Sequence, residues 1–130
     1  MRSLDCKVLV VDDDYSIRES LQDVLVAEGY AVDVAENGSD ALFKMRRRGR
    51  PDVVLLDLMM PVMNGWQFRA AQQHDPELAS IPVVVLSAVG NHVQNVAPLD
   101  VAAFMRKPFE LDALLDTIRR HCGESGGLPA

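Results

Sequence analysis

The chain has 130 residues, 48% of them apolar, which is the size of one domain with enough hydrophobic material to build a core. Thirteen Lys and Arg against 19 Asp and Glu leave a formal net charge of −6, which argues against nucleic-acid or anionic-membrane binding through bulk positive charge. The longest clean apolar run is about five residues, far short of a membrane span, and Met1-Arg2-Ser3-Leu4-Asp5 lacks the apolar stretch of a signal peptide.

In chain order, Lys7-Val8-Leu9-Val10-Val11 reads as a first strand. Cys6 just before it and Cys122 near the other end have no metal-ligand spacing, so they are expected as a cytoplasmic thiol pair with Cys6 inert. His74, His92 and His121 are scattered, which disfavours a zinc site. A helix follows, with Ile17, Leu21, Val24 and Leu25 on one stripe, Ser16 and Glu19 at capping-box spacing and Gly29 at its end. Ala31-Val32-Asp33-Val34-Ala35 alternates in the way of an edge strand. The second helix is expected over 39–48, with Ser39 as N-cap and Ala41, Leu42 and Met45 inward. Its basic end, Arg46-Arg47-Arg48-Gly49-Arg50, reads first as a solvated helix terminus and second as a docking patch.

Val53-Val54-Leu55-Leu56 and Val83-Val84-Val85-Leu86 are strands without polar alternation, as is 8–11. Strands apolar on both faces belong in the middle of a parallel sheet covered by helices. Between them a helix over 65–74 starts at Asn64-Gly65, with Trp66 packed at its beginning. Residues 90–101 contain little helical periodicity and include Pro98, so at most two turns or an irregular segment are expected there. Ala103-Phe104-Met105 is a weaker fifth strand. The last helix should cover 109–121, with Leu111, Leu114, Leu115 and Ile118 inward. Glu110 and Asp112 would then lie in its first turn and Arg119 and Arg120 in its last. The succession implies an α/β, doubly wound parallel sheet with right-handed crossovers. Residues 1–122 are expected to form the domain and 123–130 a flexible tail.

Ligands in such sheets bind beyond the carboxyl ends of the strands. Asp12, Asp13 and Asp14 follow the first strand, Asp57 ends the third, Ser87 ends the fourth and Lys107-Pro108 follow the fifth. An acidic run after a strand is often a solvated loop with a helix N-cap, and Asp14 reads equally well that way. Asp57 does not, because it interrupts apolar sequence and would be costly without a partner. Carboxylates brought together by two central strands repel unless a cation intervenes, and oxygen ligands suit Mg²⁺. With a lysine and a hydroxyl, this is equipment for phosphoryl transfer, one carboxylate being the candidate nucleophile.

Val10-Val11-Asp12-Asp13-Asp14, Asp57 to Gly65, Leu86-Ser87-Ala88 and Lys107-Pro108-Phe109 together resemble the signature of response-regulator receiver domains over roughly residues 5–121. The resemblance implies a five-stranded flavodoxin-like sheet of order 2-1-3-4-5 with a short or irregular fourth crossover helix. It implies that Asp57 accepts a phosphoryl group from a histidine kinase or histidine phosphotransfer protein. Mg²⁺, with Mn²⁺ as a substitute, would be held by Asp12, Asp13, Asp57 and the Met59 carbonyl. Lys107 would pair with the acceptor, Ser87 would bond a phosphoryl oxygen, Phe104 would be the aromatic switch, and the Lys107–Pro108 bond would be cis. Met59 and Val89 flank the site where relatives tune dephosphorylation. Neither can hold an attacking water by hydrogen bonding, so a long-lived phosphoaspartate is expected.

Ser87 stands where Thr is commoner, Asp100 where a helix-ending Gly is usual, and Ser87 and Lys107 are closer in sequence than is typical. The chain reads as a cytoplasmic phosphoacceptor switch, not an enzyme, signalling to an unidentified protein target without nucleic acid or membrane. An unphosphorylated scaffold and a receiver cut from a longer regulator are the alternatives. An aspartate-nucleophile phosphatase would want an acid at Met59, and a flavodoxin-type nucleotide binder would want a Ser/Thr/Gly-rich loop where Asp12–Asp14 stand.

Overall fold

A computed structural model describes residues 6–87 and 100–126, the last four by backbone alone. The elements in order are β1 (Lys7–Val11), α1 (Tyr15–Ala27), β2 (Ala31–Ala35), α2 (Gly38–Arg47), β3 (Val53–Asp57), α3 (Gly65–Gln73), β4 (Val83–Ser87), β5 (Ala103–Arg106) and α4 (Leu111–Gly126). The five strands form one sheet of order β2-β1-β3-β4-β5, and every pairing is parallel. The expected doubly wound α/β sheet is therefore present, with the alternating run 31–35 at one edge.

The unbroken apolar strands are explained by two separate cores. Leu9, Val11, Val54, Leu56, Val83 and Val85 face α2 and α3, where they meet Ala41, Leu42, Met45 and Phe68. The intervening Val8, Val10, Val53, Leu55, Val84 and Leu86 face the other side and meet Leu21 and Leu25 of α1 with Leu114, Leu115 and Ile118 of α4. Side chains alternate across a strand, so a strand sealed on both faces must be apolar at every position.

The start of α3 is as expected, while those of α1, α2 and α4 differ from expectation by one or two residues. Ser16 does not cap α1. The Asp14 carboxylate does, accepting the Ser16 and Ile17 amides at 2.9 and 3.2 Å, because the chain turns into the helix at Asp14 and leaves that side chain beside the first free amides. Asn37, not Ser39, caps α2 by accepting the Asp40 amide. α3 has the full capping box between Asn64 and Gln67. Gly29, at φ 98, ends the α1 turn as expected.

Leu111 is 43% exposed rather than inward, since it is the first residue of α4 and the apolar stripe meets the sheet only a turn later. α4 continues through Gly126, beyond the expected end at 121. Arg119 and Arg120 therefore lie inside the helix, where both pair with Asp116.

The cysteine expectation is overturned. Cys6 and Cys122 are joined as a disulfide, their Cα atoms 5.8 Å apart. α4 packs on the face of the sheet that holds Val8 and Val10 of β1, so Cys122 and Cys6 share one core. The expected irregular segment with Pro98, and Val89, lie outside the described residues. Asp100 is described and is in the left-handed region, φ 53, a conformation Asp tolerates better than most residues.

Candidate functional site

Strand register assembles the site. Val11 of β1 stands opposite Leu56 of β3, so the residues that follow, Asp12 and Asp57, leave the sheet side by side. Asp57 is in turn opposite Leu86 of β4, and Ser87, next along, is opposite Arg106 of β5. Lys107 follows immediately. Parallel strands point their carboxyl ends one way, so four strands deliver Asp12, Asp13, Asp57, Ser87 and Lys107 to one rim.

Asp12 is 3% exposed. One of its carboxylate oxygens accepts the Asp14 amide at 2.9 Å and the other accepts Lys107 Nζ at 3.3 Å. Asp13 is exposed and Asp57 half-buried. One carboxylate oxygen from each of the three lies within 4.8 Å of the others. Burial, followed by the Asp12 charge, pushes the Asp57 carboxyl up to about 6, against the opposing pull of Lys107 and the Met59 amide. Three acids and one nearby lysine leave an excess of negative charge in partly dry surroundings. Hard carboxylate oxygens at this spacing fit a divalent cation of the Mg²⁺ kind.

Ser87 is 1% exposed at the end of β4. Phe104 on β5 is half-buried against the core on the α2–α3 side, and the Lys107–Pro108 bond is cis. The Met59 side chain is 57% exposed beside the acceptor, while its backbone N–H donates to the Asp57 carboxylate.

Behind Asp57 the chain is packed without slack. A Cβ on Gly65 would stand 2.7 Å from Leu58 Cδ2 and 2.8 Å from both the Asp57 carbonyl oxygen and Leu58 Cα, so only glycine lets α3 start this close to the acceptor strand. Between them, Val62 is at φ 68, with the Met63 amide donating to the Pro61 carbonyl across it at 2.7 Å. A β-branched residue in that three-residue turn carries real backbone strain.

Two features were not anticipated. Arg18, one turn into α1, donates to the Asp12 backbone carbonyl at 2.7 Å and so buttresses the acid loop; helical spacing from Asp14 was its only signal. Arg69 and Gln72 are buried on α3. Arg69 donates to Gln72 and to the Asp100 carbonyl, and Gln72 to the carbonyls of Leu78 and Ile81. The basic run resolves into local contacts: Arg46 with Asp75, Arg48 with Asp33, Arg50 with Ser80, and Arg47 over the Phe43 ring. Trp66 packs partly buried at the start of α3, as expected.

The family model described as the response regulator receiver domain matches residues 8–119. Response regulator MprA of Mycobacterium leprae is 40% identical over 115 residues, 87% of this chain and 49% of that protein. MprA of Mycobacterium ulcerans is 38% identical over 118 residues, 89% of this chain and 50% of that protein. The chain thus spans about half the length of the curated relatives it matches. Among solved structures, the chemotaxis response regulator CheY4 of Vibrio cholerae superposes with a TM-score of 0.79 at 33% identity, covering 89% of this chain and 98% of that one. TrrA of Thermotoga maritima, solved in complex with Mg²⁺-BeF, gives 0.79 at 30% identity over 89% and 98% of the two chains.

Proposed function

Because the chain belongs to the response-regulator receiver family of two-component systems, we propose that it is a phosphoacceptor switch whose acceptor is Asp57. The observation that carries this reading is the convergence of Asp12, Asp13 and Asp57 within 4.8 Å, with Lys107 bonded to Asp12. A carboxylate oxygen of Asp57 attacks the phosphorus of a phosphohistidine on a histidine kinase or phosphotransfer protein. The nitrogen–phosphorus bond breaks and the imidazole leaves with the electron pair, taking up a proton. Asp57 is the acceptor because it is half-buried and open at the rim, whereas Asp12 is sealed and already engaged.

Asp12, Asp13, Asp57 and the Met59 carbonyl would hold Mg²⁺, which when bound supplies positive charge to the phosphoryl oxygens. Lys107, now on Asp12, is within reach of the acceptor and would neutralise part of the charge that arrives. The Ser87 hydroxyl would bond a phosphoryl oxygen, and Phe104, lacking a hydroxyl, would report that movement by repacking alone. Output passes to a protein target through the altered surface, which makes the chain a signalling switch rather than an enzyme with turnover.

Incubation with Mg²⁺ and acetyl phosphate should add one phosphoryl mass to the wild type and none to Asp57→Ala, and chelation of Mg²⁺ should suppress it. With the apolar Met59 beside the acceptor, the adduct should outlast seconds without a phosphatase. Equal labelling of both proteins would overturn Asp57 as acceptor, and no labelling of either would leave an unphosphorylated scaffold.

A further inference from the structure

The two ends of the described chain meet at the amino end of the sheet, away from the acid rim. Cys6 enters β1 at 6% exposure, inside the core that also holds Leu114, Leu115 and Ile118 of α4. Cys122, half-buried against the same core, is 116 residues away in sequence and bonded to it. They are the only cysteines in the sequence, so neither has a competing thiol within the chain. Their Cα separation of 5.8 Å is the usual one for a disulfide and requires no backbone movement to close.

We propose that Cys6 and Cys122 are a thiol–disulfide exchange site for a small disulfide of the glutathione class, and that its closure clamps the last turns of α4 to β1. The buried stripe of α4 stops at Ile118, and Arg119 and Arg120 beyond it are exposed. Past that point Cys122 is half-buried against the core and bonded to Cys6. The bond therefore acts on a stretch of α4 that follows its last buried residue, Ile118. Where the surrounding thiol pool is reducing, bonds of this kind are transient and sensing rather than permanent.

Accessibility sets the order of events. The half-buried Cys122 thiolate attacks one sulfur of glutathione disulfide, forming a mixed disulfide and releasing the first glutathione thiolate. The nearly sealed Cys6 thiolate then attacks the Cys122 sulfur, forming the internal bond and releasing the second. The two protons given up by the cysteines are taken by the two glutathiones. The protein is oxidised by two electrons and glutathione disulfide is reduced by two. The site is independent of the phosphoryl chemistry and stands or falls without it.

The test starts from the fully reduced 130-residue chain in buffers of rising oxidised-to-reduced glutathione ratio, read by thiol alkylation and intact mass. Wild type should pass from two alkylatable thiols to none while retaining no glutathione. Cys6→Ala should trap one glutathione on Cys122, and Cys122→Ala should keep Cys6 unmodified. Hydrogen exchange over Arg119–Cys122 should slow on oxidation, and the melting temperature should rise by on the order of 10 °C. Persistence of two thiols in wild type, or two bound glutathiones, would overturn the site. Equal trapping by both variants would overturn the order of attack, and unchanged exchange and melting would overturn the clamp.

Discussion

The two ends of the sheet are built to opposite purposes. At the amino end, backbone and side chains tie neighbouring segments together. The Lys7 amide donates to the Asp52 carboxylate at 2.8 Å, the Asp52 amide returns a bond to the Lys7 carbonyl at 2.7 Å, and Lys7 Nζ reaches the Arg48 carbonyl at 2.8 Å. The disulfide between Cys6 and Cys122 lies at the same end. At the carboxyl end, three acids crowd one rim, Val62 is strained, and Gly65 is pressed against the acceptor strand. One end lowers the free energy of the fold and the other spends part of it on readiness for a cation and a charged group. The carboxyl end is therefore where mutations should either cost most or stabilise, and the amino end where, the two cysteines aside, they should cost modestly and leave phosphorylation intact.

Gly65→Ala should have the largest effect. The new methyl meets backbone atoms of Asp57 and Leu58 that cannot swing aside, so a loss of about 3 kcal/mol is expected in urea unfolding. A loss within experimental error would show that the rim is looser than its contacts indicate. Lys107→Met comes next. It leaves the buried Asp12 carboxylate with the Asp14 amide but without its cationic partner, and should cost about 2 kcal/mol. It should also drive the Asp57 carboxyl further above its ordinary range, since Lys107 is a charge that holds it down. Carboxyl titration by NMR reads the second effect separately from the first.

Asp57→Asn should do the reverse and stabilise. The folded-state value of about 6 against 3.8 for an ordinary aspartate means that the folded chain binds this proton more tightly than the unfolded one. Its contribution is greatest at low pH and is lost as pH rises from about 4 through about 6. After allowance for solvent at a half-open rim, the loss is about 1 kcal/mol. Unfolding measured from pH 4 to 7 should show that downward segment in wild type and a flatter line in the variant. An unchanged slope would move the perturbed group elsewhere. Asp52→Ala at the amino end should be smallest, about 0.5–1 kcal/mol, because water can replace part of what the Lys7 amide loses. Its acetyl phosphate labelling should match wild type, and a labelling defect would mean that the two ends are not independent.

Most of the architecture is legible from residue order. Unalternating runs at 8–11, 53–56 and 83–86 mark strands sealed on both faces, and the alternating run at 31–35 marks an edge. The stripes of α1, α2 and α4 identify the inward residues, apart from Leu111, because burial and helical period are both local in sequence. The acids, Ser87 and Lys107 could also be collected at one rim, since parallel strands deliver their carboxyl ends together. Caps were less legible. Asp14 and Ser16, or Asn37 and Ser39, are rival cap residues a short step apart, and which oxygen meets the first free amides depends on where the chain turns.

What the sequence determined by itself was the type and order of elements, the two-sided core and the list of chemically able residues, all consequences of local periodicity and strand direction. Tertiary structure alone decided which of those residues touch. The neighbour relation between β1 and β3 set Asp12 beside a half-buried Asp57, whose proton affinity is lifted first by that burial and then by the Asp12 charge. Close approach of α3 to β3 made Gly65 obligatory, and the packing of α4 on the β1 side of the sheet's second core brought Cys122 to Cys6. Each of these depends on distances between residues far apart along the chain, and no pattern within a window of sequence encodes a distance of that kind.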